Sequence, residues 1–125
     1  MRAGEDNIVI EQGSTLRVGW SFNIGIIPQD FTGYTARMQV RTKPRRDATL
    51  MYTFTSEENS GSIIPLIVFT GGEVSITFGA AWSEDKEPDK GYFDLRLATA
   101  GGEVEFAIRG EFSIVSTVTD DGLTP

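Results

Sequence analysis

Apolar and polar residues alternate in one stretch of the chain after another. Leu16, Val18, Trp20 and Phe22 are spaced by Arg17, Gly19 and Ser21, and Ala36, Met38 and Val40 by Arg37 and Gln39. The same period of two runs through Leu50, Tyr52 and Phe54, through Val74, Ile76 and Phe78, and through Phe93, Leu95 and Leu97. It returns in Val104, Phe106 and Ile108, and continues in Phe112 and Ile114 after Gly110. A period of two puts every second side chain on one face of a pleated strand. Seven strands are therefore predicted, with Ile8–Ile10 as a possible eighth, and Glu103 and Glu105 are expected on the outward face. Gly110, inside the last segment, predicts a bulge or bend.

The separators carry turn chemistry: Gln12-Gly13-Ser14, Pro28-Gln29-Asp30 with Thr32-Gly33, Asn59-Ser60-Gly61, Gly71-Gly72 and Gly101-Gly102. One short helix is expected near 80–87, closed by Pro88. Half-buried strands with almost no helix to cover them need a second sheet. The expected fold is an all-β, two-sheet antiparallel sandwich, with immunoglobulin-like Greek-key topology favoured. A single domain over 7–118 is expected, with a mobile N-terminus at 1–6 and a mobile C-terminal tail at 119–125.

Composition narrows the chemistry. The 125 residues include no cysteine and no histidine. That excludes disulfides and thiolate ligands, and removes the commonest general base at neutral pH. No serine-nucleophile elbow, phosphate loop or calcium loop is present. No enzyme activity and no cofactor or metal are expected. The formal net charge of −7 argues against a broad surface for nucleic acid or anionic membrane. Met1–Gln12 lacks the apolar stretch of a secretory leader and Ile63–Phe69 is too short to span a bilayer. A cytosolically made, soluble product is expected.

Several segments read in order carry a family likeness. They are Glu11-Gln12-Gly13-Ser14-Thr15 ahead of Trp20, then Asp30-Phe31-Thr32-Gly33-Tyr34 leading into Ala36-Arg37-Met38-Gln39-Val40-Arg41. Gly91-Tyr92-Phe93-Asp94-Leu95 and Gly110-Glu111-Phe112-Ser113-Ile114 follow. This order resembles small structural proteins of tailed bacteriophages, similar to the N-terminal domain of the baseplate upper protein family. The resemblance implies an immunoglobulin-like, non-enzymatic virion component of the tail, baseplate or neck, or a capsid decoration, assembled in the host bacterial cytoplasm. Its implied partners are portal, adaptor, tail or fibre proteins, or copies of itself in a symmetric oligomer. A carbohydrate- or receptor-binding sandwich is the alternative; it needs exposed aromatics in a groove.

Three features are candidates for an interface. Arg37, Arg41, Lys43, Arg45 and Arg46 gather five of the eleven cations. They are read first as solvated side chains protecting a sheet edge, and second as a docking patch in which Arg41, Arg45 and Arg46 touch a partner. Ile63–Phe69 is continuously apolar, so Ile67 and Phe69 have faces for a neighbour as well as for the core. Trp82 either caps the sandwich or anchors a contact.

Overall fold

The computed structural model describes residues 4–57 and 63–119. The elements in chain order are β1 (Gly4–Glu5), β2 (Ile8–Glu11), β3 (Leu16–Ser21), β4 (Asn23–Ile24), β5 (Ile27–Pro28), β6 (Thr35–Arg41), β7 (Leu50–Thr55), β8 (Ile67–Thr70), β9 (Glu73–Phe78), α1 (Ala80–Ser83), β10 (Asp89–Ala98) and β11 (Val104–Val115). One sheet runs β1-β11-β10-β6-β7, with β2 also on β11; the other runs β3-β9-β8. The protein is an all-β sandwich. Pairing is antiparallel except where β1 and β2 lie parallel to β11.

The inward positions of the alternating segments form one core. Met38, Val40, Leu95, Ile76, Val74 and Ile10 are fully buried. Aromatic rings bridge the two layers: Phe54 meets Phe78 at 5.4 Å, Phe78 meets Phe112 at 5.7 Å, and Trp20 stacks on Phe93 at 6.4 Å. The Asp30-Phe31-Thr32-Gly33 turn is explained by its bonds. Thr32 donates both its N–H and its hydroxyl to the Asp30 carboxylate, at 2.9 and 2.7 Å, which holds that carboxyl below its usual pKa. Gly33 supplies φ of 80°, and Phe31 drops into the core.

Five local expectations change. Residues 4–6 are not a free lead-in: Gly4–Glu5 pairs with Ile108 and Arg109, and the Asp6 carboxylate accepts the Trp20 indole N–H at 2.9 Å. Gly110 is not a bulge, since β11 runs through it in register. A Cβ there would lie 1.6 Å from the Asp6 carbonyl oxygen, so glycine is needed for the close approach of the N-terminal strand. The bulge sits at Ala107, where the register with β10 passes from Leu95↔Ile108 to Arg96↔Phe106. That extra residue reverses the facing of what precedes it. Phe106 and Val104 turn outward, while Glu105 comes opposite buried Leu97 on the inner side, so the expected alternation fails there.

A second shift, at Val40/Arg41, turns Leu50 outward to 45% exposure, and Met51 packs against the core. The helix is a single turn, Ala80–Ser83, rather than the 80–87 expected. Its Ser83 hydroxyl is fully buried and accepts the Gly13 N–H at 3.0 Å, tying the turn to the β2–β3 connection. The expected turn at Asn59-Ser60-Gly61 and the tail beyond Thr119 lie outside the described residues.

Candidate docking face

The outer face of the larger sheet is built by the outward residues of three central strands. Arg37, Gln39 and Arg41 on β6 stand opposite Arg96, Asp94 and Tyr92 on β10. Across β10, Asp94 stands opposite Arg109 and Arg96 opposite Phe106 on β11. The 42–49 loop rises at one side. The Arg41 guanidinium holds it by donating to the Ala48 carbonyl at 2.9 Å and to Gln39 Oε1 at 3.1 Å. Lys43, Arg45 and Arg46 on this loop complete an open concavity of about 760 Å³ with Val104 and Phe106 on its far side. Gly91 makes the close packing beneath possible, because a Cβ there would meet the Arg41 carbonyl at 2.8 Å and the Met51 sulfur at 2.7 Å.

The electrostatics are one-sided. Seven of the eleven cations line this concavity, against one of the eighteen acids, Asp94. The patch is therefore about +6, and the remainder, with four cations against seventeen acids, is −13. Arg37 and Arg96 stand directly opposite one another across neighbouring strands, a like-charge arrangement that destabilises a sheet. Among the described residues only Arg45 of these seven has an ion pair, with Asp47 at 2.9 Å. The other ion pairs, Arg17–Glu73, Lys86–Asp85 and Lys90–Glu111, lie elsewhere. Desolvation by its crowded neighbours pushes the Asp94 carboxyl above its ordinary pKa, and the attraction of Arg109, Arg46 and Arg41 only partly offsets this.

The expected site residues separate into two groups. Arg41, Arg45 and Arg46 come together on this face. Ile67 and Trp82 do not belong to any exposed surface. Ile67 is 2% exposed and packs into the core, and Trp82 is 4% exposed, in ring contact with Tyr52, Phe54 and Phe78. Phe69 is half-buried against Phe31 and Tyr34. The reading of the basic cluster as edge protection also fails, because β6 lies between β10 and β7. Two cations escaped the sequence reading, Arg96 and Arg109. They are fifty or more residues beyond the end of the cluster and join it only through strand pairing. Tyr92 and Phe106, half-buried, add aromatic surface among the arginines.

Two further features went unread. The β4–β5 hairpin pairs with no other strand among the described residues, and carries Ile24, Ile26 and Ile27 at 67%, 99% and 67% exposure. A smaller concavity of about 270 Å³ is lined by Phe22, Phe31, Leu97 and Glu105. Among the described residues no cluster of three or more acids, histidines or cysteines is placed to hold a metal ion, and no helix is long and apolar enough to cross a membrane. The chemistry this arrangement offers is recognition of carboxylates or other oxyanions by guanidinium groups. No protein-family model and no curated protein matches the chain.

Proposed function

We propose that this protein is a non-enzymatic virion component of a tailed bacteriophage, in the tail, baseplate or neck, that works by docking to neighbouring protein subunits. The observation that carries the docking half is the basic face. Seven cations line one concavity, four of them on the central strands of a sheet where they protect no edge, and the only acid lining it is Asp94. The virion half rests on the sequence likeness to small tailed-phage structural proteins. The strand order bears on the topology that this likeness implies and not on the role. Sheets ordered β1-β11-β10-β6-β7 and β3-β9-β8, with an N-terminal strand parallel to the last one, are what an immunoglobulin-like Greek key would have.

Docking through this face is a matter of positioned guanidinium groups on a rigid sheet, repeated by symmetry around a particle. Repetition turns modest contacts into a stable assembly. The test is mass spectrometry of density-purified particles of the phage or prophage that encodes the chain. Its peptides are expected at a stoichiometry of several copies per particle, and consistent absence from intact particles overturns the virion reading.

A further inference from the structure

We infer that the basic face docks onto the acidic surface of a second copy of this chain, head to tail. The inference rests on reading that face as a docking surface, and it names the partner. Charge complementarity is the ground: a patch of about +6 sits on a body whose remaining residues sum to −13, so each copy carries both halves of the contact. The face does not dock on its own like in a second copy, because that places arginine against arginine. The contact is therefore heterologous and propagates into a ring or an open stack. Guanidinium groups that make no ion pair among the described residues, Arg37, Arg96 and Arg109 among them, can take carboxylates in the bidentate geometry that makes such pairs strong. Phe106 and Val104 at the rim give the contact an apolar component.

Charge also sets an unusual salt dependence. A domain of this length has a radius of gyration of about 14 Å, so docked centres stand roughly 30 Å apart. At ~0.01 M salt, where the screening length is about 30 Å, the mutual repulsion of two −7 bodies is only partly screened at this separation. At ~0.15 M that length falls to about 8 Å, which screens the bodies from one another but spares the contact itself; at ~1 M, with about 3 Å, the contact is lost too. Association should pass through a maximum at intermediate salt. A nucleic acid bound on the same arginines would instead be released monotonically as salt rises.

The experiment is sedimentation equilibrium of the full chain from micromolar to millimolar concentration at these three salt levels, with Arg96→Gln and Arg37→Gln beside the wild type. The expected result is concentration-dependent association, strongest at the middle salt and weakened ~tenfold or more by either variant. Carbodiimide coupling of mixed light and heavy-isotope protein should join Lys43, the one lysine of the face, to a carboxylate of the other copy. Urea denaturation confirms that the variants are folded. A monomer under every condition, or association that both variants leave unchanged, overturns the inference. So does saturable binding of a fluorescent oligothymidine at ~0.15 M salt that Arg96→Gln abolishes, which assigns the face to nucleic acid. A monomer in solution that is nevertheless present in purified particles defeats self-docking and leaves the virion reading standing; the converse result does the opposite.

Discussion

Replacing Arg96 by glutamine should make the isolated domain slightly more stable, and the gain should vanish in high salt. Arg96 and Arg37 are register partners on adjacent antiparallel strands, and side chains so placed start about 5 Å apart. With the two guanidinium groups ~6 Å apart, their repulsion is about 0.7 kcal/mol in a water-like dielectric and about half that at physiological ionic strength. Arg109, opposite Asp94, lies one diagonal step away and adds to the repulsion, while Arg41, opposite Tyr92, is a step further off. Asp94, two residues along the same face, attracts Arg96 and cancels roughly one such diagonal. The net expectation for Arg96→Gln is a gain of ~0.5 kcal/mol near 0.05 M salt that drops below ~0.2 kcal/mol at 1 M. Arg96→Lys, which keeps the charge and most of the stem over Phe106, should show no gain. Urea midpoints of the three proteins at both salts decide the matter, with a double-mutant cycle against Arg37→Gln to isolate the pair. A loss of stability in Arg96→Gln, or a gain that persists at 1 M, would mean that the row of arginines is not under electrostatic strain. Repulsion within the row would then give it no reason to exist for a partner.

Other consequences are more easily stated. Gly110→Ala must expel the Asp6 backbone from its present position, breaking the Asp6 N–H to Arg109 carbonyl bond and displacing the Trp20–Asp6 and Asn7–Glu111 bonds; a loss of ~2–4 kcal/mol is expected, with accelerated hydrogen exchange at Glu111. Trp82→Ala empties a buried site between Phe54 and Phe78, and thermal or urea unfolding should register ~3–5 kcal/mol. Ile26→Ser, by contrast, alters a side chain that touches only water, so stability should stay within ~0.5 kcal/mol while solubility rises. Because the folded-state pKa of Asp94 is raised, this carboxyl favours folding when protonated and ceases to do so as pH rises through its folded pKa. Urea midpoints of Asp94→Asn and wild type should therefore converge in acid below the ordinary carboxylate range and separate in favour of the variant as pH approaches neutrality.

Periodicity made the sandwich legible because burial on one face enforces alternation residue by residue, and Ala36-Met38-Val40, spaced by less buried Arg37 and Gln39, shows it without exception. It failed where a bulge inserts one residue. Val104 and Phe106 have the same parity as Ile108, and nothing local marks Ala107 as the residue at which the phase turns over. Gly110, which looked like the natural place for such a break, owes its identity to a carbonyl group more than a hundred residues away. The docking face was half legible for a related reason. Its β6 and loop cations are contiguous in sequence, whereas Arg96 and Arg109 are brought beside them by β10–β6 and β10–β11 pairing, and strand order is a property of the whole chain. Ile67 and Trp82 were misjudged because an apolar residue in a run or near a helix turn looks the same whether a partner or the domain's own core covers it.

The position of the positive charge separates two explanations that sequence alone leaves together. Cations placed to discourage sheet-to-sheet aggregation belong on strands with an unpaired edge. Here the edge strand β7 presents Thr53 and Thr55, and the edge strand β3 has Arg17, neutralised by Glu73. Four of the arginines, Arg37, Arg41, Arg96 and Arg109, stand instead on β6, β10 and β11, each hydrogen-bonded on both sides, where they guard no edge. Such a row is held at a cost in cross-strand repulsion, and in an acidic chain carboxylates for its relief are plentiful; among the described residues Asp94 alone stands within the row, and Asp47 pairs with Arg45 on the loop beside it. A surface that keeps seven cations so nearly unneutralised in the free protein gains its compensation when an anionic partner arrives. The size of that gain grows with the repulsion it relieves.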